Sequence, residues 1–158
     1  MDTLMRKTVI KRTLVVVLSL FAAGVAGYGL SNLVHDKPVT PDQLPEKAVA
    51  FINEHFTESV IAFSKQDRDF LKVSYEVVLT DGTKIEFRRG GEWKEIDRHH
   101  ERIPDGIIPQ DIATKILELY PNSFATKVEN DSRHIEVELN NRLELKFDKN
   151  HNLIGIDR

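Results

Sequence analysis

Residues 73–88, Val-Ser-Tyr-Glu-Val-Val-Leu-Thr-Asp-Gly-Thr-Lys-Ile-Glu-Phe-Arg, decide the fold. Val73, Tyr75, Val77 and Leu79 alternate with Ser74, Glu76, Val78 and Thr80, the two-residue period of a strand with one buried face. Asp81-Gly82 then offers two residues that accept a positive φ, as a tight hairpin turn requires, and the chain returns with Ile85 and Phe87 on the apolar side. Gly90-Gly91 marks the next corner, again with residues that accept a left-handed backbone, before a strand that carries Trp93 and Ile96.

The pattern occurs twice. Val77, Leu79, Ile85, Phe87, Ile96, Asp97 and Arg98 match Val137, Leu139, Leu145, Phe147, Ile156, Asp157 and Arg158, with Asn140-Asn141 and Asn150-His151 at the two corners. Upstream, Leu44-Pro45 opens a stretch with Ala48, Val49, Ile52 and Phe56 on one helical face, and Ile108-Pro109 opens another with Ile112, Ala113, Ile116 and Tyr120. Proline suits the start of each helix, where its missing N–H loses no bond. The first copy is four residues longer around Arg68 to Leu71. With 59–66 and 124–130 as leading strands, the expected class is α+β: two tandem helix-plus-four-strand repeats, an antiparallel sheet with helices on one face and an open face on the other. Repeat 1 spans 44–98, a solvated linker 99–107, and repeat 2 spans 108–158.

The N-terminus has a different character. Arg6, Lys7, Lys11 and Arg12 precede an uncharged run over 13–30 that becomes rich in alanine and glycine. A basic head, an apolar run and small residues read as a secretory signal over 1–27, followed by a polar linker over 28–43 with Pro38 and Pro41. The alternative is an uncleaved anchor, since the run is close to bilayer-spanning length. Either reading exports the body, to the periplasm as a free protein or to its face of the inner membrane. Residues 1–27 hold four of the 22 basic residues and one of the 25 acidic ones, so the remainder carries eighteen basic against twenty-four acidic residues, a formal net charge of −6. Such a body lacks the lysine and arginine tracts that phosphate neutralisation needs, so nucleic acid is not an expected partner. With no cysteine in the chain, disulfides, thiol nucleophiles and cysteine-ligated zinc are excluded.

No catalytic or metal motif emerges. In His99-His100-Glu101 the position of a second zinc ligand is Pro104, which also breaks the helix that such a site needs. His134 falls on a strand face, and His55 near a helix C-terminus, where the dipole favours it. Glu76, Glu86, Glu136, Glu138 and Glu144 occupy the polar side of alternating strands, where solvation and pairing with Lys84, Arg88 or Lys146 account for them. The chain has neither a serine elbow nor a phosphate-binding glycine loop. It is therefore read as a non-enzyme, with no cofactor and no metal.

Leu44-Pro45, the run from Asp81 to Phe87, the run from Gly91 to Asp97, Tyr120-Pro121 and the run from Leu145 to Asp148 closely resemble the PepSY-like, or β-lactamase-inhibitor-like, family of exported Bacteroidetes proteins. The resemblance covers 44–157. It implies a periplasmic location and a curved sheet with helices on one face, and it carries no catalytic residue, because fold likeness to an inhibitor does not settle function.

The expected function is thus an exported, non-enzymatic binding module, protein-binding or inhibitor-like, that uses the open face of its sheet for a periplasmic protein or peptide. The alternative is a small-ligand or ion carrier, which requires a pocket between the repeats lined by convergent polar groups. The expected contact residues are Ile61, Phe63, Val78 and Trp93. Simple alternation puts all four on the open face, and an apolar cluster with a tryptophan on a charged face suits an interaction hot spot. The competing expectation is that the 31–43 segment or the 99–107 linker folds over them.

Overall fold

Nine antiparallel strands lie side by side in the order of the sequence, each hydrogen-bonded to the next. They are β1 (Lys37–Pro38), β2 (Ile61–Asp69), β3 (Lys72–Leu79), β4 (Lys84–Arg88), β5 (Trp93–Asp97), β6 (Ala125–Asn130), β7 (His134–Leu139), β8 (Glu144–Asp148) and β9 (Leu153–Asp157). Helix α1 (Glu46–His55) precedes β2, and α2 (Gln110–Leu119) precedes β6. The computed structural model describes residues 36–69 and 72–158. The expected signal or anchor over 1–27 and the first part of the 28–43 linker lie outside the described residues.

Register shows why one face is buried. Val77, Ile85, Ile96, Val128, Val137 and Leu145 follow one another as partners across six strands, and each is fully buried. Phe87 and Phe147 lie one step along the same face. Helix α1 presses Ala48 and Ile52 onto this surface and α2 presses Ile112 and Ile116, so both helices cover the same side and the buried apolar residues join in one core. Both helices start one residue after their prolines, Pro45 and Pro109, which occupy the cap positions.

Four hairpin turns share one geometry that differs from the expected two-residue turn. The N–H of Gly82 donates to Leu79 O at 3.0 Å, and the N–H of Leu79 donates to Thr83 O at 2.9 Å. This is a three-residue loop in which the last position alone takes positive φ. Gly82 (φ 85°), Gly91 (88°), Arg142 (67°) and His151 (62°) hold that position in turn. In the second half the left-handed residue is therefore Arg142, not Asn140 or Asn141.

Two connecting segments are more ordered than expected. Part of the 28–43 linker forms β1 and a 3-10 turn, Pro41–Gln43, and Ser64 Oγ donates to Val39 O at 2.7 Å. The 99–107 segment is not a solvated linker. Ile103 and Ile107 are buried in the core, and the N–H of Ile103 donates to Ala125 O at 2.9 Å. Each is an apolar residue in a short polar stretch, and the stretch crosses the buried side of the sheet rather than its rim.

Candidate functional site

The uncovered face of the sheet is a grid of charged side chains in two rows. Along one row, cross-strand partners run Phe63, Val78, Lys84, Asp97, Lys127, Glu138, Glu144 and Asp157. Along the next they run Lys65, Glu76, Glu86, Glu95, Glu129, Glu136, Lys146 and Gly155. Five glutamates thus sit on five consecutive strands, at the strand spacing of about 4.8 Å, which is destabilising unless cations intervene.

Lysines do intervene. Lys65 pairs with Glu76 at 3.5 Å, Lys94 with Glu86 at 2.8 Å, Lys127 with Glu95 at 3.0 Å and Lys146 with Glu136 at 2.6 Å. Burial alone would lower the pKa values of Lys94 and Lys127. Glu86 beside Lys94 and Glu95 beside Lys127 more than offset this, and both ammonium groups are held above the usual lysine value. Glu129 differs: burial, then the neighbouring charges of Glu95 and Glu136, push its carboxyl above the usual range against the pull of Lys94 and Lys127. His134 lies 3.1 Å from Glu136 and 3.4 Å from Asp131, a polar role on a strand face. Among the described residues, no group of three or more histidine and carboxylate side chains is arranged to hold a metal ion.

The four expected contact residues do not share one face. Phe63 and Val78 are cross-strand partners on the open face, and Phe63 remains 46% exposed. Ile61 is instead paired with the buried Leu79, and Trp93 with the buried Phe87; both pack against the core. A bulge causes each reversal. Ala62 and Lys94 are extra residues opposite their partner strands, so counting by twos past them assigns the wrong face. The same irregularity lies between Ala125 and Lys127 and beside Phe147, where the corresponding residues Ala125 and Leu153 also pack against the core. That coincidence was visible in the sequence: apolar residues at one register in both halves signal a core position. Neither 36–43 nor 99–107 covers Phe63 enough to bury it.

A shallow cleft of about 510 Å³ opens at the junction of β5, β6 and β7, lined by Asp97, His99, His100, Thr126, Lys127 and Glu138. Sequence reasoning dismissed His99 and His100 as linker residues. Their place beside Asp97 and Lys127 follows from the turn at His99, whose φ of 56° is stabilised by the 2.7 Å bond from its N–H to Asp97 Oδ1.

Strands β4 to β8 and the second helix fall within residues 73–155, which match the family model described as "Putative beta-lactamase-inhibitor-like, PepSY-like". The chain belongs to this PepSY-like family. Solved structures of similar proteins agree. A protein of Bacteroides thetaiotaomicron described as a "putative calcium-regulated periplasmic protein" is 45% identical, with a TM-score of 0.76 over 78% of this chain and 97% of its own. Two periplasmic proteins of Bacteroides vulgatus are 35% and 31% identical, each with a TM-score of 0.76 and each matched over its whole length, covering 82% and 78% of this chain. No curated protein matches the chain. Among the described residues of this PepSY-like protein, no helix is long and apolar enough to cross a membrane.

Proposed function

We propose that this PepSY-like protein is a periplasmic, non-enzymatic binding module, inhibitor-like in mode, that holds a protein partner on the open face of its sheet. One observation carries the reading: the Phe63–Val78 pair, apolar and half-exposed, sits at the end of a row in which the corresponding pair of the second half is Lys127 and Glu138. The fold needs only a polar pair there, so the apolar pair is surplus to folding and suits an interface. The periplasmic placement rests on the 45%, 35% and 31% identical relatives. The same reading takes the two halves as copies of one unit, supported by matched bulges and matched left-handed turn positions. Capture from periplasmic extract by the immobilised chain tests it. Phe63→Glu should lose the captured protein while the melting temperature stays put, and Val78→Lys should do the same; retention by both variants would refute the site.

A second reading, a small-ligand or ion carrier, draws on the polar cleft between the halves and on the calcium named for the 45% identical relative. The glutamate row is already interleaved with lysines, which argues against a cation there. A calcium titration followed by thermal melting separates the readings: the binding module predicts no shift, and the carrier predicts a rise that saturates.

A further inference from the structure

A second cleft, of about 390 Å³, opens where the 99–107 segment meets α2 and the residues leading into β6. Its volume is in the range of small-molecule sites. Ile108, Ala113, Leu117 and Phe124 make its walls apolar, and it carries one cation and one anion, Arg102 and Asp105.

The segment that bears both charges is fixed in place. Arg98 Nη1 donates to Arg102 O at 2.6 Å, and the N–H of Ile103 donates to Ala125 O at 2.9 Å. The Arg102 guanidinium carbon lies over the Phe124 ring, 4.8 Å from its centroid, a contact that occupies none of the five N–H donors. Among the described residues neither Arg102 nor Asp105 has an ion pair. Leu117 is 61% exposed at the same cleft, one residue after the buried Ile116. The matching residue of α1, one after the buried Ile52, is Asn53. A polar residue satisfies the helix at that position, so the leucine is surplus to folding.

We infer that this cleft binds a short apolar peptide with free termini, of dipeptide size, with its carboxylate on Arg102, its ammonium on Asp105 and its side chains against Leu117 and Phe124. The charges select this ligand. A fatty acid answers Arg102 but brings its carboxylate beside Asp105, and an apolar amine answers Asp105 but meets Arg102; a zwitterion complements both. No ion pair joins Arg102 to Asp105, so the two charges of the ligand must stand apart, as they do in a dipeptide and not in a single amino acid. The cleft lies beside a helix rather than on the uncovered side of the sheet, and the inference stands independently of the open-face reading.

Calorimetry of the full chain with leucyl-leucine should show saturable binding, and glycyl-glycine should bind at least tenfold more weakly. Arg102→Gln should weaken leucyl-leucine about tenfold, yet leave leucyl-leucinamide, which lacks the carboxylate, at the affinity it has for the parent protein. Asp105→Asn should likewise weaken leucyl-leucine and leave N-acetyl-leucyl-leucine unchanged. Both side chains are exposed, so neither change threatens the fold. Leu117→Asn should weaken all three leucine ligands. Absence of leucyl-leucine binding, equal binding of the amide and the acetylated peptide, or indifference to Arg102→Gln and Leu117→Asn would overturn the proposal. So would tighter binding of octanoate, which would make the cleft a fatty-acid site.

Discussion

Residues 46–97 and 110–157 have the same order of elements and different chemistry. Each is a helix followed by four antiparallel strands, with a bulge in the first strand and another in the last. The first half places glycine at both left-handed turn positions, Gly82 and Gly91; the second places Arg142 and His151 there. On the open face the first half has Phe63 with Val78, and the second has Lys127 with Glu138. The difference separates what the fold demands from what it permits. The buried Val77, Leu79 and Phe87 recur as the buried Val137, Leu139 and Phe147, as close packing favours, so the exposed departures are where function can be sought.

The largest effect expected is one that treats the halves alike. Phe87 and Phe147 are fully buried in one continuous core, so Phe87→Ala and Phe147→Ala should each cost about 3 to 5 kcal/mol and leave a single cooperative unfolding transition in denaturant. Two transitions would break the comparison, because the halves would then be independent.

The turns should respond unequally. A Cβ on Gly91 would lie 2.9 Å from the Cβ atoms of both Pro45 and Lys47 and 3.0 Å from the Ala48 nitrogen, with φ already at 88°. Gly91→Ala should therefore cost about 2 to 3 kcal/mol in chemical denaturation. Its counterpart His151 bears a side chain there, and its Nδ1 lies 2.6 Å from Asp111 Oδ2, so that corner meets its helix through a side-chain polar contact rather than by close backbone approach. At the other turn, Arg142→Gly should stabilise the protein by about 0.5 to 1 kcal/mol, since glycine removes the left-handed penalty at an exposed position. Destabilisation by that change would mean that Arg142 has a role beyond the turn.

A smaller effect concerns pH. The raised pKa of Glu129 means that the native state binds its proton more tightly than the unfolded state does, so this group's contribution to stability falls as pH rises from the ordinary glutamate value through the raised one. Glu129→Gln should accordingly melt higher than the parent at neutral pH, and the two curves should converge toward pH values below the ordinary carboxylate range. Parallel curves at all pH values would show that the carboxyl is not strained by its neighbours.

Much of this was legible because alternation and turn residues are local signals. Val77, Leu79, Ile85 and Phe87 declared their face directly, and prolines 45 and 109 marked the helix starts to within one residue. The face of Trp93 and Ile61 was not legible by alternation, because a single extra residue in a strand reverses the parity of everything beyond it. Strand β1 was hidden because its two residues carry no periodicity and include a proline, and the burial of Ile103 and Ile107 depends on where the chain crosses the sheet, a tertiary fact. Of the open-face row, Glu76, Glu86 and Glu136 were individually expected to be polar and strand-borne, and Glu95 and Glu129 were not singled out. Their alignment into one row follows from register between distant strands, as does the raised pKa of Glu129.

The open face is tested most directly by photo-cross-linking in the periplasm of the cell. A photoreactive phenylalanine analogue at position 63 should form a covalent adduct with one discrete protein, and the same analogue at position 93, on the core side, should form none. Adducts from position 93 with none from position 63 would contradict the assignment of the partner to the open face.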